Sequence, residues 1–554
     1  MPRLAAPGTL GIYCVVSFLY FGLPIARHPN SRTIGTGTDP YGFVWALEWW
    51  PHEILHGLNP FYSHAIWAPE GINLSWTTAI PALAILFAPL TLIAGPLVSY
   101  NVAAVLLPAL AAWVTYLLCR RLTRSFWPSL AGGYLFGFSS YMLGHELGHL
   151  NLTPVFTIPL AALLVLRHLD GTTSRRRLAV ELGVVLAFIF GTSTELLFTF
   201  TISLAVAIAL GFVFFPVLRP ALRSLLGPLS GAYALGLAIA SPLAYYAISG
   251  FQSRTVNRTS LFPGDALNLV VPTDLIALGG TSAHGIARRF LGYDTENVLY
   301  LGLPILLIVI WYLVGERRRP ASRFLAVALV AAFVASLGSS LYVAGRWLAP
   351  APWRLVSHLP LFDNVITPRL GVYSALIASV IVALWGASPR VARPLRAVLL
   401  AVAVMSLIPR AFGKSSPWEV TANVPPFFAA TGSYKTCLHA SDNLLVLPNV
   451  SDALLWQARD SFRFRLAVDD LQPLAPSGIQ ERAIVVDIQK NVVPRGGGAA
   501  LLRFARANSV DEIAVVEADP GPWATTLAPV ARPRAVQGIL LYTVAQPRSA
   551  PACA

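Results

Sequence analysis

Charge is scarce in this chain. Asp, Glu, Lys and Arg make up 12% of its 554 residues, while 55% are hydrophobic. A soluble domain has a surface to cover with charge, so this composition excludes an ordinary soluble protein. Lysine is nearly missing. It occurs only as Lys414, Lys435 and Lys490, so arginine carries most of the formal net charge of +14. A basic balance can indicate a nucleic-acid partner. Here the arginines fall in loops between apolar runs, as membrane orientation requires, and nucleic acid is excluded. Scarce lysine beside abundant Ala and Pro points to a GC-rich bacterial genome, hence to a bacterial cytoplasmic membrane. No small-residue cleavage site follows the first apolar run at 10–26, since Arg27-His28-Pro29-Asn30 comes next. That run reads as a retained anchor and not as a signal peptide. Internal repeats and low-complexity tracts are absent.

What the chain does have is a series of apolar runs long enough to cross a bilayer, separated by short basic or polar loops. Spans are expected near 10–26, 98–118, 127–143, 154–166, 178–194, 196–216, 225–248, 298–314, 323–343, 370–387 and 396–409, eleven in all. The run 80–93 holds Pro81 and Pro89 and is followed by Gly95-Pro96. If it crossed, every later arginine-rich loop would invert, so it is expected to lie partly inserted beside the membrane. Arg3 before the first span puts the N-terminus inside. Arg120/Arg121/Arg124, Arg167/Arg175/Arg176/Arg177, Arg219/Arg223, Arg317/Arg318/Arg319/Arg323 and Arg390/Arg393/Arg396 then fall in cytoplasmic loops, and the odd count puts the C-terminal segment outside. Most acids and histidines fall on the outer side. Positive-inside selection alone leaves acids there; proton chemistry on that face is the other reading.

The expected organisation is a transmembrane domain over 1–411, with a large first outer loop at 27–97, and an extracytoplasmic α/β domain over 412–554. The second part rests on β-branched or aliphatic runs at 444–450, 483–488, 512–516 and 539–544, with a helix-like stretch at 499–508. Cys437 and Cys553 both fall in it. Two cysteines in an oxidising compartment can pair, and two free thiols fit equally well.

One acid stands out by position. Asp39, in Thr38-Asp39-Pro40-Tyr41, follows the first span directly and opens the long first loop. The aromatic stretch 43–58 behind it carries Trp45, Trp49, Trp50 and His52. Tryptophans of this kind suit a lipid-facing belt at the interface or a platform for a lipid-linked ligand. His145-Glu146-Leu147-Gly148-His149 matches the HExxH zinc motif. Its glycines and the nearby Pro154 argue against one continuous helix, and no third ligand is evident. The expectation is a polar loop, with His145 and His149 lining the Asp39 cavity, Glu146 as a second acid and no zinc. Arginine grips phosphate bidentately, so Arg254, Arg258, Arg288, Arg289 and Arg369 are candidate phosphate ligands. Lipid headgroup contact is the bland reading for each.

The arrangement resembles the GT-C superfamily of polyprenyl-phosphate-sugar glycosyltransferases. The resemblance rests on several features. Thr38-Asp39-Pro40 follows the first span, and the first loop is amphipathic with Asn59-Pro60-Phe61. A juxtamembrane helix precedes a span that ends in Leu118-Cys119-Arg120-Arg121-Leu122. Gly148-His149-Leu150-Asn151 and Glu296-Asn297-Val298-Leu299-Tyr300-Leu301-Gly302 complete it. It implies inverting sugar transfer from a polyprenyl phosphate to a hydroxyl of a glycan, lipid or protein acceptor, with Asp39 as general base. The candidate site is then Asp39 with Glu146 as the favoured second catalytic acid, and His52, His145, His149, Arg254, Arg258, Arg369 and Glu296 as substrate-binding residues. Many members carry two acids in the first loop. Here proline follows Asp39, and Glu48, Glu53 or Glu146 is left to supply the second, so a divalent metal remains open and no other cofactor is implied. The non-enzymatic alternative is a transporter or lipid flippase. That would need buried charges along a path, and only Glu181 and Glu195 lie in or at the edge of spans. An inactive or scaffolding relative is a third reading.

Overall fold

The computed structural model describes residues 5–250, 259–411, 416–448, 451–469, 479, 482–544 and 553. Among the described residues, six helices are long and apolar enough to cross a membrane: Pro7–Ile25, Pro96–Thr123, Leu150–Leu169, Thr194–Phe214, Pro216–Ile239 and Thr367–Ala387. They fall on six of the expected spans. The other five expected spans hold shorter or broken helices. Arg175–Phe190, Leu303–Gly315, Pro320–Ser336 and Arg393–Met405 are each under 18 residues. Phe126–Gly137 is separated from Ser140–His145 at Phe138-Ser139, and the Ser139 hydroxyl caps the second piece.

Two expectations fail locally. The span expected at 323–343 stops at Ser336, because Gly338 turns in the left-handed region (φ +83°). Residues Ser340–Val343 then pair antiparallel with Arg346–Pro350. The Asp265 carboxylate holds this hairpin's turn, accepting from the Ala344 and Gly345 amides at 3.1 and 2.7 Å. The strand expected at 483–488 is instead the helix Ala483–Gln489.

The proline-bearing run forms the helix Pro81–Ala94, and Gly95 (φ +85°) separates it from Pro96–Thr123. Its 14 residues span about 21 Å, less than a hydrocarbon core of about 30 Å. It buries Leu83, Ala84 and Phe87 and exposes Ile85, Leu86, Leu92 and Ile93. Close helix contact elsewhere depends on small residues. A Cβ on Gly137 would lie 2.4 Å from the Ala112 Cβ, so Phe126–Gly137 and Pro96–Thr123 meet backbone to backbone.

The C-terminal segment carries a five-stranded mixed sheet in the order 534–536, 539–543, 512–516, 443–447, 465–466. Asn443–Leu447 runs parallel to both Glu512–Val516 and Arg465–Leu466, while Ile539–Thr543 returns antiparallel. The two central strands are buried throughout, as their unbroken apolar runs require. Cys437 and Cys553 form a disulfide, which decides between the two readings of that pair.

This segment grips the first loop. Arg32–Thr33 pairs antiparallel with Val420–Thr421. The Leu466 amide donates to the Ala65 carbonyl at 2.8 Å. The Trp45 indole donates to Gln457 Oε1 at 2.6 Å, and Gln457 Nε2 donates to the Ala65 and Phe464 carbonyls at 2.8 Å. Trp45, Trp49 and Trp50 are buried, and the last two donate to the Pro60 and Ala79 carbonyls. Being buried, they form no lipid-facing belt. They are the packing that fixes the helix Asp39–Leu55 between the membrane helices and the sheet.

Candidate active site

Asp39 is the first residue of the helix Asp39–Leu55, and Pro40 follows in its first turn. Proline suits that place because the first helical amides have no intrahelical acceptor. The helix dipole favours a carboxylate there. The approach to it is fixed by Asn101, buried on the helix Pro96–Thr123. Its Oδ1 accepts from the Ile34 amide at 2.9 Å, and its Nδ2 donates to the Pro29 and Arg32 carbonyls at 3.1 and 2.8 Å.

The loop carrying the HExxH letters closes over the same point. The Thr36 amide donates to the Leu147 carbonyl at 2.8 Å. Gly148 has φ +153°, and a Cβ there would lie 3.0 Å from the Asp39 Cβ. Only a residue without a side chain lets this loop reach Asp39 so closely. The helix Ser140–His145 ends at the first histidine, so the motif is not one helical face.

His149 is the hub. Its Nε2 lies 3.8 Å from Asp39 Oδ2, and its Nδ1 lies 3.9 Å from Glu296 Oε1 and 3.4 Å from His145 Nδ1. Burial holds the His149 imidazole below its ordinary range, against the opposing pull of Glu296. Burial also drives His145 well below its usual range, helped by His149 and Arg369. The Asp39 side chain is 63% exposed, in contrast to the His149 side chain at 22%.

Behind His149 sits a buried ion cluster. Arg369 donates from Nε to Glu296 Oε2 at 3.0 Å and from Nη2 to Glu296 Oε1 at 2.5 Å. Its Nη1 donates to Glu195 Oε2, and Glu195 Oε1 accepts from the Ile366 amide at 3.0 Å. Glu195 is in the first turn of Thr194–Phe214. Sequence reasoning noted it only as a charge at a span edge and missed it as a site residue. The available signal was that an ionisable group at the end of an apolar helix needs a partner.

The structure therefore brings together Asp39, His145, His149, Glu296 and Arg369, and adds Glu195. Three expected roles change. Arg369 has its guanidinium engaged by two carboxylates, so it is not a free phosphate ligand. Glu146 is 3% exposed, and burial drives its carboxyl well above the usual range. His52 is 13 positions along the same helix, about 20 Å from Asp39 at the helical rise, and lines a different cleft. Arg254 and Arg258 lie outside the described residues. Arg288 and Arg289 are exposed beyond the helix Gly280–Ala287. Among the described residues no three His, Cys, Asp or Glu are arranged to hold a metal ion, and no step is routed through one.

Residues 10–408 match the family model described as a domain of unknown function, DUF6311. The chain belongs to the DUF6311 family. No curated protein matches it by sequence. Among solved structures, this DUF6311 protein is similar to the arabinofuranosyltransferase AftD from Mycobacteria. The TM-score is 0.58 and the identity 14%, over 99% of this chain and 40% of that one. It is also similar to the archaeal oligosaccharyltransferase AglB from Archaeoglobus fulgidus, solved with an inhibitory peptide and a dolichol-phosphate. There the TM-score is 0.52 and the identity 13%, over 98% of this chain and 74% of that one. The DUF6311 protein thus spans less than half the length of AftD. Its fold is GT-C-like, and the protein is membrane-embedded.

Proposed function

We propose that this protein is a membrane glycosyltransferase that moves a sugar from a polyprenyl-phosphate donor to a hydroxyl of a glycan, lipid or protein acceptor. The observation that carries the reading is the single exposed carboxylate of Asp39. It stands at a helix N-terminus with His149 3.8 Å away and a rigid ion cluster behind. In this reading the acceptor hydroxyl attacks the anomeric carbon while Asp39 takes its proton. The new carbon–oxygen bond forms as the bond to the phosphate oxygen breaks, and polyprenyl phosphate leaves with that electron pair. One displacement inverts the anomeric centre. His149 orients the Asp39 carboxylate, and Glu296, held by Arg369, orients His149. Because Arg369 is occupied, the leaving phosphate falls to Arg254, Arg258, Arg288 or Arg289. The site faces the outer side of a bacterial cytoplasmic membrane, as does the C-terminal segment.

A transporter or flippase is the competing reading, and the buried charges of Glu195, Glu296 and Arg369 are what would favour it. Glu195 and Arg369 sit in the first turns of their membrane helices and not midway along them. They brace one end of the bundle and mark no path through it. The test is sugar transfer by the purified protein from a polyprenyl-phosphate donor. Asp39→Asn is expected to abolish transfer while leaving the fold intact. A variant with wild-type activity would remove the assignment.

A further inference from the structure

The far end of the Asp39 helix opens into a second site that the transfer chemistry does not use. It is a cleft of about 470 Å³ between the first loop and the C-terminal segment. His52 and Glu53 enter it from the helix, Tyr62 from the strand Tyr62–Ser63, His64 from just beyond it, and Phe462 and Arg465 from the C-terminal segment.

Phe462 is presented at a conformational cost. Ser461 and Phe462 have φ +49° and +58°, two successive side-chain-bearing residues in the left-handed region. Bulky residues rarely adopt it, and strain of this kind gathers at ligand sites. The Phe462 ring stands edge-on to Trp45, Trp49 and His52, with centroids 5.5, 5.1 and 5.0 Å away. Across the cleft Tyr62 is 37% exposed, with its ring 5.1 Å from that of His64. His52 and Glu53 contact each other at 3.1 Å. The lining thus combines half-buried aromatic rings with both donors and acceptors. Its one carboxylate and one guanidinium balance.

A sugar ring has the complementary surface: an apolar C–H face and a rim of hydroxyls that both donate and accept. A phosphate would require excess cations, and a lipid tail would require unbroken apolar walls. We propose that this cleft binds a glycan, with sugar faces against Phe462 and Tyr62 and hydroxyls on His52, Glu53, His64 and Arg465. Under the transferase reading, on which this role rests, the glycan is the remote part of the acceptor. The rigid helix then sets the distance between the held units and the reacting end at Asp39. Remote binding of this kind fixes the geometry at the reacting centre.

The experiment titrates the full-length protein in detergent with short neutral oligosaccharides of arabinose, mannose, galactose and glucose, following tryptophan fluorescence with no donor present. Saturable binding of at least one series is expected. Phe462→Leu and Tyr62→Ala should each weaken it by about two- to tenfold, the scale of one aromatic contact. Tyr62 is 37% exposed, so its variant keeps the test meaningful if Phe462→Leu misfolds. Asp39→Asn should bind as wild type does. The proposal falls if no oligosaccharide binds, or if both cleft variants bind undiminished. It also falls if polyprenyl phosphate or an unstructured peptide is what these residues recognise. Loss of the transferase reading would leave binding in place, whereas loss of the cleft would leave Asp39-dependent transfer to short acceptors in place.

Discussion

The helix Asp39–Leu55 ends in two chemically different places. At its first residue one carboxylate is 63% exposed, with an imidazole 3.8 Å away. In its last turns His52 and Glu53 border a cleft lined with aromatic rings and polar groups of both kinds. At the first end the reacting group is one carboxylate, with a buried ion cluster behind it. At the second, aromatic rings and polar groups share one open lining. Reaction chemistry needs a small number of atoms fixed in position, and recognition needs area. One helix of 17 residues, about 25 Å long, is enough to keep the two apart and in register.

The largest effect that would break this comparison is at Asp39. If Asp39→Asn removes general base catalysis, transfer should fall by about 10²- to 10⁴-fold, read as kcat with a polyprenyl-phosphate donor. Oligosaccharide binding in the cleft should be untouched. A variant that lost both would show that the two ends act as one site.

The next effect concerns what holds the Asp39 end still. Arg369 neutralises two buried carboxylates, Glu195 and Glu296. Arg369→Ala leaves both without their partner and should destabilise the protein by about 3–5 kcal/mol. Thermal unfolding in detergent reads this directly. A melting temperature near that of wild type would mean that the cluster is solvated and braces nothing.

How far could these regions be read in advance? The position of Asp39 was legible, because a carboxylate straight after an apolar run is a local pattern. The 145–149 loop was legible as a polar loop on the same outer side as Asp39, but not its contact, since Gly148 meets Asp39 across more than a hundred residues. Glu195 was illegible as a partner for the same reason, as its ion pair with Arg369 joins two distant helices. The tryptophans misled more instructively. Trp45 looks interfacial in isolation, and its acceptor, Gln457, lies 412 residues away. The stretch 483–488 failed differently. Its β-branched Ile484, Val485 and Val486 suit a strand, yet Val485 and Ile488, three apart, are the buried pair that packs a short helix.

A smaller effect should follow from separating the two ends at their shared support. Trp45→Phe replaces a fully buried indole by a smaller ring and removes the donor to Gln457 Oε1, a wholly buried acceptor, so a cavity adds to the lost hydrogen bond. The expected loss is about 1–3 kcal/mol of stability. Protease resistance of the C-terminal segment is the sharper readout, because this bond joins that segment to the helix. Unchanged resistance would mean that Gln457 is held by its two donor bonds to Ala65 and Phe464 alone.

A further effect, confined to pH above the acid range, is expected at Glu48, which lies on the helix between the two ends and whose side chain is only partly withdrawn from water. Burial pushes its carboxyl up from 4.5 to about 7. An unfolded chain therefore releases this proton near 4.5, and the folded protein holds it until about 7. Below 4.5 both forms are protonated, and the group's contribution to stability is fully present. As pH rises through the window the unfolded form binds fewer protons, so stability is lost, and above about 7 the deficit is constant. Glu48→Gln removes the titrating group. Its melting temperature should match that of wild type in the acid limit and exceed it by a steady margin above about 7. If the two curves stay parallel across the window, water reaches the middle of the helix.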